Sequence, residues 1–406
     1  MGPLYLIISD DLTGAAEVGG VAVRYGVSAE VHIDEPVEAE SEAIAVDTGT
    51  RLVAGEKAAR RIRELAGKLK TSLKRQVYKK VDSVLRGPVL SELAALADGL
   101  EKRRVLLVPC NPGLGRTITQ GRYWIKGRPI DETDFRNDPE HPARTSDVLE
   151  MLGQMHGGPR VFLRRPDEAL PEHGIIVGEA ASAEDLSAWA RRVDSGTIPA
   201  GAAEFFGALL VSQGCHAAPS LGRVLAESET VLIVSGTATG RARQAITELE
   251  GRGVPVLRMP APVYEGSSGE SDNLDEWASQ VVAALGELMV AVVAIGHPVR
   301  AGKETARRLS DCLAHVTAEA LARGHADHLW VEGGATAAEI IRHLGWRRLE
   351  VKAELSPGVV RLQPRGLTRP LITLKPGSYE WPEAHALAGA RGSWSRMDAA
   401  KGGSRC

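Results

Sequence analysis

Short apolar runs recur along the first half of this chain, each ending in a polar loop that leads into a helix-length segment. Residues 4–8 are hydrophobic without a break, the mark of a strand covered by protein on both faces. Ser9-Asp10-Asp11-Leu12-Thr13-Gly14 ends that run. The Gly- and Ala-rich segment that follows, to residue 25, has the small residues that let a helix lie close to a sheet. Further strands are expected at residues 29–33, 43–46, 76–80 and 104–108, and helices at 54–73 and 89–100. This alternation predicts a doubly wound, mostly parallel sheet.

A second series of the same kind starts at Thr230. Strands are expected at residues 231–234, 255–258, 290–295 and 328–331, with helices from Arg241 and over 337–344. Strands at 349–353, 359–362 and 371–374 close it. A length of 406 residues is enough for two hydrophobic cores. The expected fold class is therefore α/β, in two domains, each built on a mostly parallel sheet with flanking helices. The boundaries expected are 1–214 and 222–385, with a linker over 214–221 and a disordered tail over 390–406.

Composition narrows the function classes. A net charge of -3 gives no support for nucleic acid or a membrane surface as the main partner. No apolar run reaches transmembrane length, and the chain opens into a strand rather than a signal peptide, so a cytoplasmic protein is expected. The four cysteines are scattered with no C-x-x-C pair, which argues against a zinc site or a disulfide framework. Cys110, near a strand end, reads as a buried hydrophobe more readily than as a nucleophile.

The chemistry gathers at strand ends, where ligands bind in open α/β sheets. Lys79-Lys80-Val81-Asp82-Ser83-Val84-Leu85-Arg86-Gly87 places cations, a carboxylate and a hydroxyl at one strand-to-helix junction. A guanidinium forks onto carboxylate or phosphate and a lysine adds a point charge, so a pocket for a small anionic, hydroxylated molecule is one reading. A solvated turn with a surface ion pair is the other. Asp10 and Asp11 end the first strand, where paired carboxylates could orient a hydroxyl, hold magnesium or act as a base; a helix N-cap accounts for only one of them. Residues 109–147 break the rhythm and are rich in Gly, Pro, Arg and Thr, with a hairpin expected at 123–130. So long an irregular segment inside a domain points to function.

In the second half, three strand-end loops carry Gly, Ser or Thr: Ser235-Gly236-Thr237-Ala238-Thr239-Gly240, Gly333-Gly334-Ala335-Thr336 and Gly377-Ser378. Glycines let backbone N–H groups approach an anion and helix N-termini favour negative charge, which points to nucleotide phosphates. Arg300-Ala301-Gly302-Lys303-Glu304-Thr305 is not a P-loop, because Gly296 lies one residue too far upstream and Glu304 stands where a hydroxyl is needed. It reads as a helix start.

These motifs together resemble the four-carbon acid sugar kinase family, from residue 8 to about 379. The carriers are Asp10-Asp11-Leu12-Thr13-Gly14-Ala15, then Lys80 to Gly87 with Val84 in place of the usual Thr. Gly115-Arg116-Thr117 with Gly121, and Asp138-Pro139, follow in order. The loops at Ser235, Gly333 and Lys375-Pro376-Gly377, with Pro357-Gly358-Val359, complete the set. Ala335 stands where the family has an acidic residue, and Glu380 where it has glycine.

The resemblance implies an N-terminal acid-sugar domain, a C-terminal ATP domain and phosphoryl transfer between them, with ATP and Mg2+ as cofactors. It implies transfer to the terminal hydroxyl of threonate, erythronate or 3-oxo-tetronate. Lys80 and Arg86 would hold the substrate carboxylate, with Arg116 as a further anion contact. Asp10, Ser83 and Thr117 would line the same pocket, and Asp82 or Asp11 would accept the hydroxyl proton. Ser235, Gly236, Thr237, Thr239, Gly333, Gly334, Ala335, Thr336 and Gly377 would cradle ATP. The partner is a small sugar acid; a homodimer is compatible with such a kinase, and the sequence names neither a stereoisomer nor the metal ligands. Two rivals stand beside it: a non-catalytic sensor of sugar acid or nucleotide, and an NAD-linked sugar-acid dehydrogenase.

Overall fold

The first apolar run forms β1 (Tyr5–Ser9), whose five residues are all buried. Helix α1 (Leu12–Arg24) follows it directly. The computed structural model describes residues 4–37, 39–69, 75–138, 140–217, 229–237, 240–267, 270–298, 302–324 and 326–377. The chain divides into two compact units, Met1–Pro219 and Ser220–Cys406. The expected linker lies partly, and the expected tail wholly, outside the described residues.

In the first unit, β2 (Ala29–Ile33), β3 (Ala43–Asp47) and α2 (Gly55–Leu69) come next. Then follow β4 (Gln76–Lys80), α3 (Val89–Gly99) and β5 (Arg104–Val108). Helix α2 shows why its sequence chose that form: Ala58, Ala59, Ile62, Leu65, Ala66 and Leu69 recur at helical spacing and are buried, while the other face is charged. After residues 109–147 come α4 (Val148–Leu152), β9 (Val161–Arg164), β10 (Gly174–Gly178), α5 (Ala183–Ala190), β11 (Thr197–Gly201) and α6 (Ala203–Ser212). The sheet order is β2-β3-β1-β4-β11-β5-β10-β9, and every pairing in it is parallel. Behind it, the Phe206 ring lies 5.0 Å from both Tyr5 and Tyr78. Burying each such ring is worth roughly 2–3 kcal/mol.

Residues 109–147 are not irregular throughout. They build a separate antiparallel meander from β6 (Arg116–Thr119), β7 (Arg122–Ile125) and β8 (Arg128–Pro129). The expected hairpin at 123–130 is the second half of this meander. Its first strand was hidden because Arg116-Thr117-Ile118-Thr119 carries a single apolar residue.

The second unit runs β12 (Val231–Ser235), α7 (Gly240–Gly251), β13 (Val256–Arg258), α8 (Ala261–Glu265), α9 (Glu270–Leu288), β14 (Val290–Ala294) and α10 (Lys303–Gly324). It closes with β15 (His328–Glu332), α11 (Gly334–His343), β16 (Arg348–Ser356), β17 (Val359–Pro364) and β18 (Leu371–Lys375). Its strand order is β13-β14-β12-β15-β18-β17-β16. The pairings from β13 to β18 are parallel, and β17 runs antiparallel to β18 and β16. Val231, Val254, Val290, Val292 and Trp330 form one core beneath it. Helix α11 begins at Gly334, three residues before the expected start. Gly333, at φ 107, takes the N-cap position with no capping side chain, so the sequence shows no cap to read.

Candidate active site

In the first unit, β3, β1 and β4 are neighbours in register, Ser9 opposite both Asp47 and Lys80. The loops leaving their carboxyl ends therefore meet. Asp11 caps α1, accepting the Gly14 N–H on Oδ1 at 2.8 Å. A Cβ on residue 14 would lie 2.7 Å from that same oxygen, so only glycine leaves the cap room. Asp10 has a different job. It faces Arg51 fork to fork, accepting from Nε at 2.8 Å and from Nη2 at 2.9 Å. Arg51 also donates to Asp11 from Nη1 at 2.6 Å and from Nη2 at 2.9 Å, and Nη1 lies 3.6 Å from Asp82 Oδ1. One guanidinium thus joins three carboxylates from two other loops.

The loop after β4 is folded around Asp82. Its carboxylate accepts from Val84 N at 3.3 Å, Arg86 N at 3.2 Å, Arg86 Nε at 2.9 Å and Arg86 Nη2 at 2.8 Å. These bonds hold Leu85 at φ 61, a left-handed conformation that is costly for leucine. Arg86 continues to Asp138 Oδ2 at 3.1 Å. Ser83 Oγ accepts from Arg116 Nη1, and Ser83 O accepts from the Tyr123 hydroxyl. The Arg116 guanidinium lies 5.8 Å from the Phe135 ring centroid. So the meander and the segment after it are tied to the β4 loop at Ser83 and Arg86. Thr117, on β6, pairs in register with Trp124. The ion pairs of this junction exist, but they are clustered and mostly buried rather than solvated.

Charge sets the electrostatics. Burial pushes the Asp82 carboxyl up, but Arg86 and Arg51 outweigh it and hold it well below the usual carboxylate range. Asp10 is lowered too, with burial again opposed by Arg51. Arg51 is raised, because Asp10, Asp11 and Asp82 overcome the burial that would lower it.

Lys79 and Lys80 point to opposite faces of the sheet, and each meets a glutamate from the helix covering that face. Lys80 Nζ lies 3.0 Å from Glu17 Oε2 on α1 and donates to Val81 O at 3.0 Å. Lys79 Nζ lies 3.1 Å from Glu92 Oε2 on α3. All four residues are buried.

Sequence reasoning missed Arg51, Glu17, Glu92 and Glu204. Glu17 and Glu92 carried a usable signal, each a lone charge within an otherwise apolar stretch of its helix. Glu204, in the first turn of α6, accepts the Gly113 N–H at 3.1 Å on Oε2, and its own N–H donates to Asn111 Oδ1 at 3.1 Å. Burial raises its carboxyl, against the Gly113 N–H and Arg24. Cys110 is fully buried and burial pushes its thiol up to about 12, which leaves it a hydrophobe.

In the second unit, β12, β15 and β18 are adjacent and their carboxyl-end loops converge. Glu332, on the central strand, ties them. Its Oε2 accepts from Ser235 Oγ at 3.0 Å and its Oε1 from Lys375 Nζ at 2.5 Å. The main chain repeats the tie, Gly236 N donating to Glu332 O at 3.2 Å and Gly333 N to Lys375 O at 3.0 Å. A Cβ on Gly236 would lie 1.8 Å from Thr336 Oγ1, and one on Gly377 would lie 3.1 Å from Thr237 Oγ1. Glycine is what lets the three loops come this close. Gly334, Ala335 and Thr336 form the first turn of α11, so their N–H groups belong to a helix N-terminus. Thr239, Ser378 and Glu380 lie outside the described residues.

Among the described residues, no three His, Cys, Asp or Glu side chains converge to hold a metal ion. Where Asp10, Asp11 and Asp82 approach one another, the Arg51 guanidinium occupies the space between them. No helix of the described residues is long and apolar enough to cross a membrane.

One α/β unit thus carries a carboxylate–guanidinium centre and the other a cluster of glycine-built loops backed by a helix N-terminus. Comparison with known proteins gives the class. Residues 5–209 match the family model of a sugar-binding N-terminal domain, and residues 232–379 that of a nucleotide-binding C-terminal domain. The chain is 31% identical to the D-threonate kinase of Bordetella bronchiseptica over 70% of each protein. It is 26% identical to the D-erythronate kinase of Heliobacterium modesticaldum, covering 87% of this chain and 88% of that one. A solved structure from Salmonella typhimurium LT2 shares the fold, with a TM-score of 0.75 at 18% identity over 97% of this chain and 99% of the other. The chain belongs to the four-carbon acid sugar kinase family, a family of phosphotransferases.

Proposed function

We propose that this protein is an ATP-dependent kinase that phosphorylates the terminal hydroxyl of a four-carbon sugar acid: threonate, erythronate or 3-oxo-tetronate. The observation that carries the reading is the cluster of Asp10, Arg51, Asp82 and Arg86 at the carboxyl ends of adjacent strands in the sugar-matched unit. Residues 1–214 hold the acid and residues 222–385 the nucleotide.

Arg51, Arg86 and Arg116 receive the substrate carboxylate, since guanidiniums bind carboxylates bidentately. Lys80 stands behind the acid rather than touching it, because its ammonium is engaged by Glu17 and Val81 O. Of the two candidate proton acceptors, Asp11 is the better placed. Its side chain is 20% exposed against 8% for Asp82, whose carboxylate is held by Arg86 and Arg51. The acceptor hydroxyl attacks the terminal phosphorus, its proton passes to Asp11, and the bond to ADP breaks. Such transfer needs mainly positioning and charge neutralisation, so a weak base suffices. The N–H groups of the first turn of α11, Gly334 to Thr336, cradle the phosphates, while those of Gly236 and Gly333 hold the loops to Glu332 and Lys375. Magnesium, if bound with the nucleotide, would supply neutralisation of its phosphate charge. We place the protein in the cytoplasm.

The test incubates purified protein with ATP, magnesium and each of the three acids in both enantiomeric series, reading ADP. ADP formation dependent on one acid supports the reading and names the substrate. Acid binding without turnover replaces it with a sensor, and acid oxidation coupled to NAD reduction replaces it with a dehydrogenase.

A further inference from the structure

The Lys79–Glu92 pair lies behind the site, yet Glu92 holds the hydroxyl of Thr50, the residue next to Arg51. Glu92 Oε1 accepts the Thr50 hydroxyl. Thr50 Oγ1 is 2.8 Å from Thr48 Oγ1, which in turn is 2.7 Å from Ser9 O. Ser9 O accepts both the Thr48 hydroxyl and, at 2.9 Å, the Thr48 N–H. The Thr50 hydroxyl thus donates to the Glu92 carboxylate and the Thr48 hydroxyl to the Ser9 carbonyl. Thr48, Thr50, Lys79 and Glu92 are all buried.

The same turn delivers Arg51. Thr50 N and Arg51 N both donate to Asp10 O, at 2.9 and 3.1 Å. Gly49, at φ 59, gives this turn conformational freedom that something must remove. The backbone is anchored on Asp10, and the side chain of Thr50 on Glu92. A valine at position 50 would fill the same volume, so packing alone does not call for the hydroxyl. Nor does packing call for a buried carboxylate and ammonium, which are costly to desolvate.

We propose that Glu92 and Thr50 are positioning residues for phosphoryl transfer: Glu92, charged against Lys79, holds the Thr50 hydroxyl and so fixes the orientation in which Arg51 meets the sugar acid. Neither residue touches substrate; both act through Arg51. This inference rests on the reading that Arg51 contacts the acid.

The experiment compares Thr50→Val, Thr50→Ser and Arg51→Lys in the full chain. It measures kcat, KM for the sugar acid and for ATP, and the side-chain Nε–H signal of Arg51 in arginine-labelled protein without ligand. Thr50→Val is expected to raise KM for the acid about tenfold, the equivalent of one buried hydrogen bond, with KM for ATP changed less than about twofold. Its Arg51 Nε–H signal is expected to broaden or move toward the solvent-exposed position. Thr50→Ser, which keeps the hydroxyl and loses a methyl, is expected to restore most of both readouts. Equal losses in Thr50→Val and Thr50→Ser would overturn the inference, as would an unmoved Nε–H signal in Thr50→Val. If Arg51→Lys leaves KM for the acid unchanged, the acid-site reading fails instead. If Arg51→Lys raises it and Thr50→Val does not, the positioning role alone fails.

Discussion

Arg51 and Asp10 meet as two parallel hydrogen bonds, Nε to Oδ2 at 2.8 Å and Nη2 to Oδ1 at 2.9 Å, across 41 positions of sequence. The Asp10 side chain is 3% exposed and that of Arg51 16%. The pair is therefore largely removed from water. Its partners come from the ends of β1 and β3, so it also records that these two strands are adjacent.

Removing the guanidinium should strand Asp10 and part of Asp11. Arg51→Ala is expected to destabilise the first unit by about 3–5 kcal/mol, the usual cost of leaving one buried charge unpaired. Urea unfolding followed by tryptophan fluorescence measures this; a change below about 1 kcal/mol would show that the site readily admits water.

Lys80 and Glu17 should behave as a coupled pair. Lys80→Met is expected to cost about 3–5 kcal/mol by leaving Glu17 buried without its ammonium partner. Lys80→Met with Glu17→Leu should recover most of that loss, since apolar replacement of a buried pair is often neutral. A double-mutant cycle from urea midpoints gives the coupling, and additive losses would contradict the buried pairing.

The pH dependence of stability has two onsets of known sign. Asp10, Asp82 and Asp138 have folded values lowered from 3.8, so the stability they contribute is complete above 3.8 and is lost as pH falls below it. His328, in the second unit, is lowered from 6.5 chiefly by burial. For a base held neutral, the loss sets in earlier, as pH falls below 6.5 toward the folded value. Hydrogen exchange at pH 7, 5.5 and 3.5, resolved by peptide, should show the second unit weakening around β15 before the strand ends of the first.

Glu204 should show the opposite sign. Its carboxyl is raised, so its ionisation opposes folding once pH exceeds the ordinary value of 4.5. Glu204→Gln is expected to raise the thermal midpoint at pH 7 slightly, and the gain should vanish below pH 4.5. A lowered midpoint at pH 7 would show that the Gly113 N–H requires the ionised acceptor.

Gly236→Ala tests the cradle. The new Cβ would lie 1.8 Å from Thr336 Oγ1, and Thr336 is buried in the first turn of α11, so the loops must part. A stability loss of about 1–3 kcal/mol is expected. Nucleotide binding, measured by calorimetry, should weaken at least about tenfold while sugar-acid binding is retained.

Most of the sheet was legible because parallel strands buried on both faces are written as short apolar runs, and residues 4–8, 43–46 and 290–294 are such runs. The motif loops were legible because Gly-Thr and Asp-Ser clusters interrupt those runs where strands end. Arg51 was not. Nothing local distinguishes it from any other arginine after a turn, and its meaning arises only when β3 pairs beside β1. Lys80 was visible as a charge, but its partner Glu17 comes from a helix that follows a different strand. The early start of α11 was hidden because two glycines read as loop, and here Gly333 supplies conformation in place of a capping side chain.

Arg86 is shared between Asp82 and Asp138, and Arg51 among three carboxylates. An anion arriving at either of these two arginines can bind it only by trading places with a carboxylate already seated. The centre is therefore an ion exchanger rather than an open socket. Simple anions gain almost nothing from such a trade, because they give the guanidinium no better partner than it has. A ligand whose hydroxyls engage the displaced carboxylates while its own acid takes the guanidinium gains on both sides of the exchange. Built-in competition of this kind trades affinity for discrimination, and it favours ligands that leave as readily as they enter.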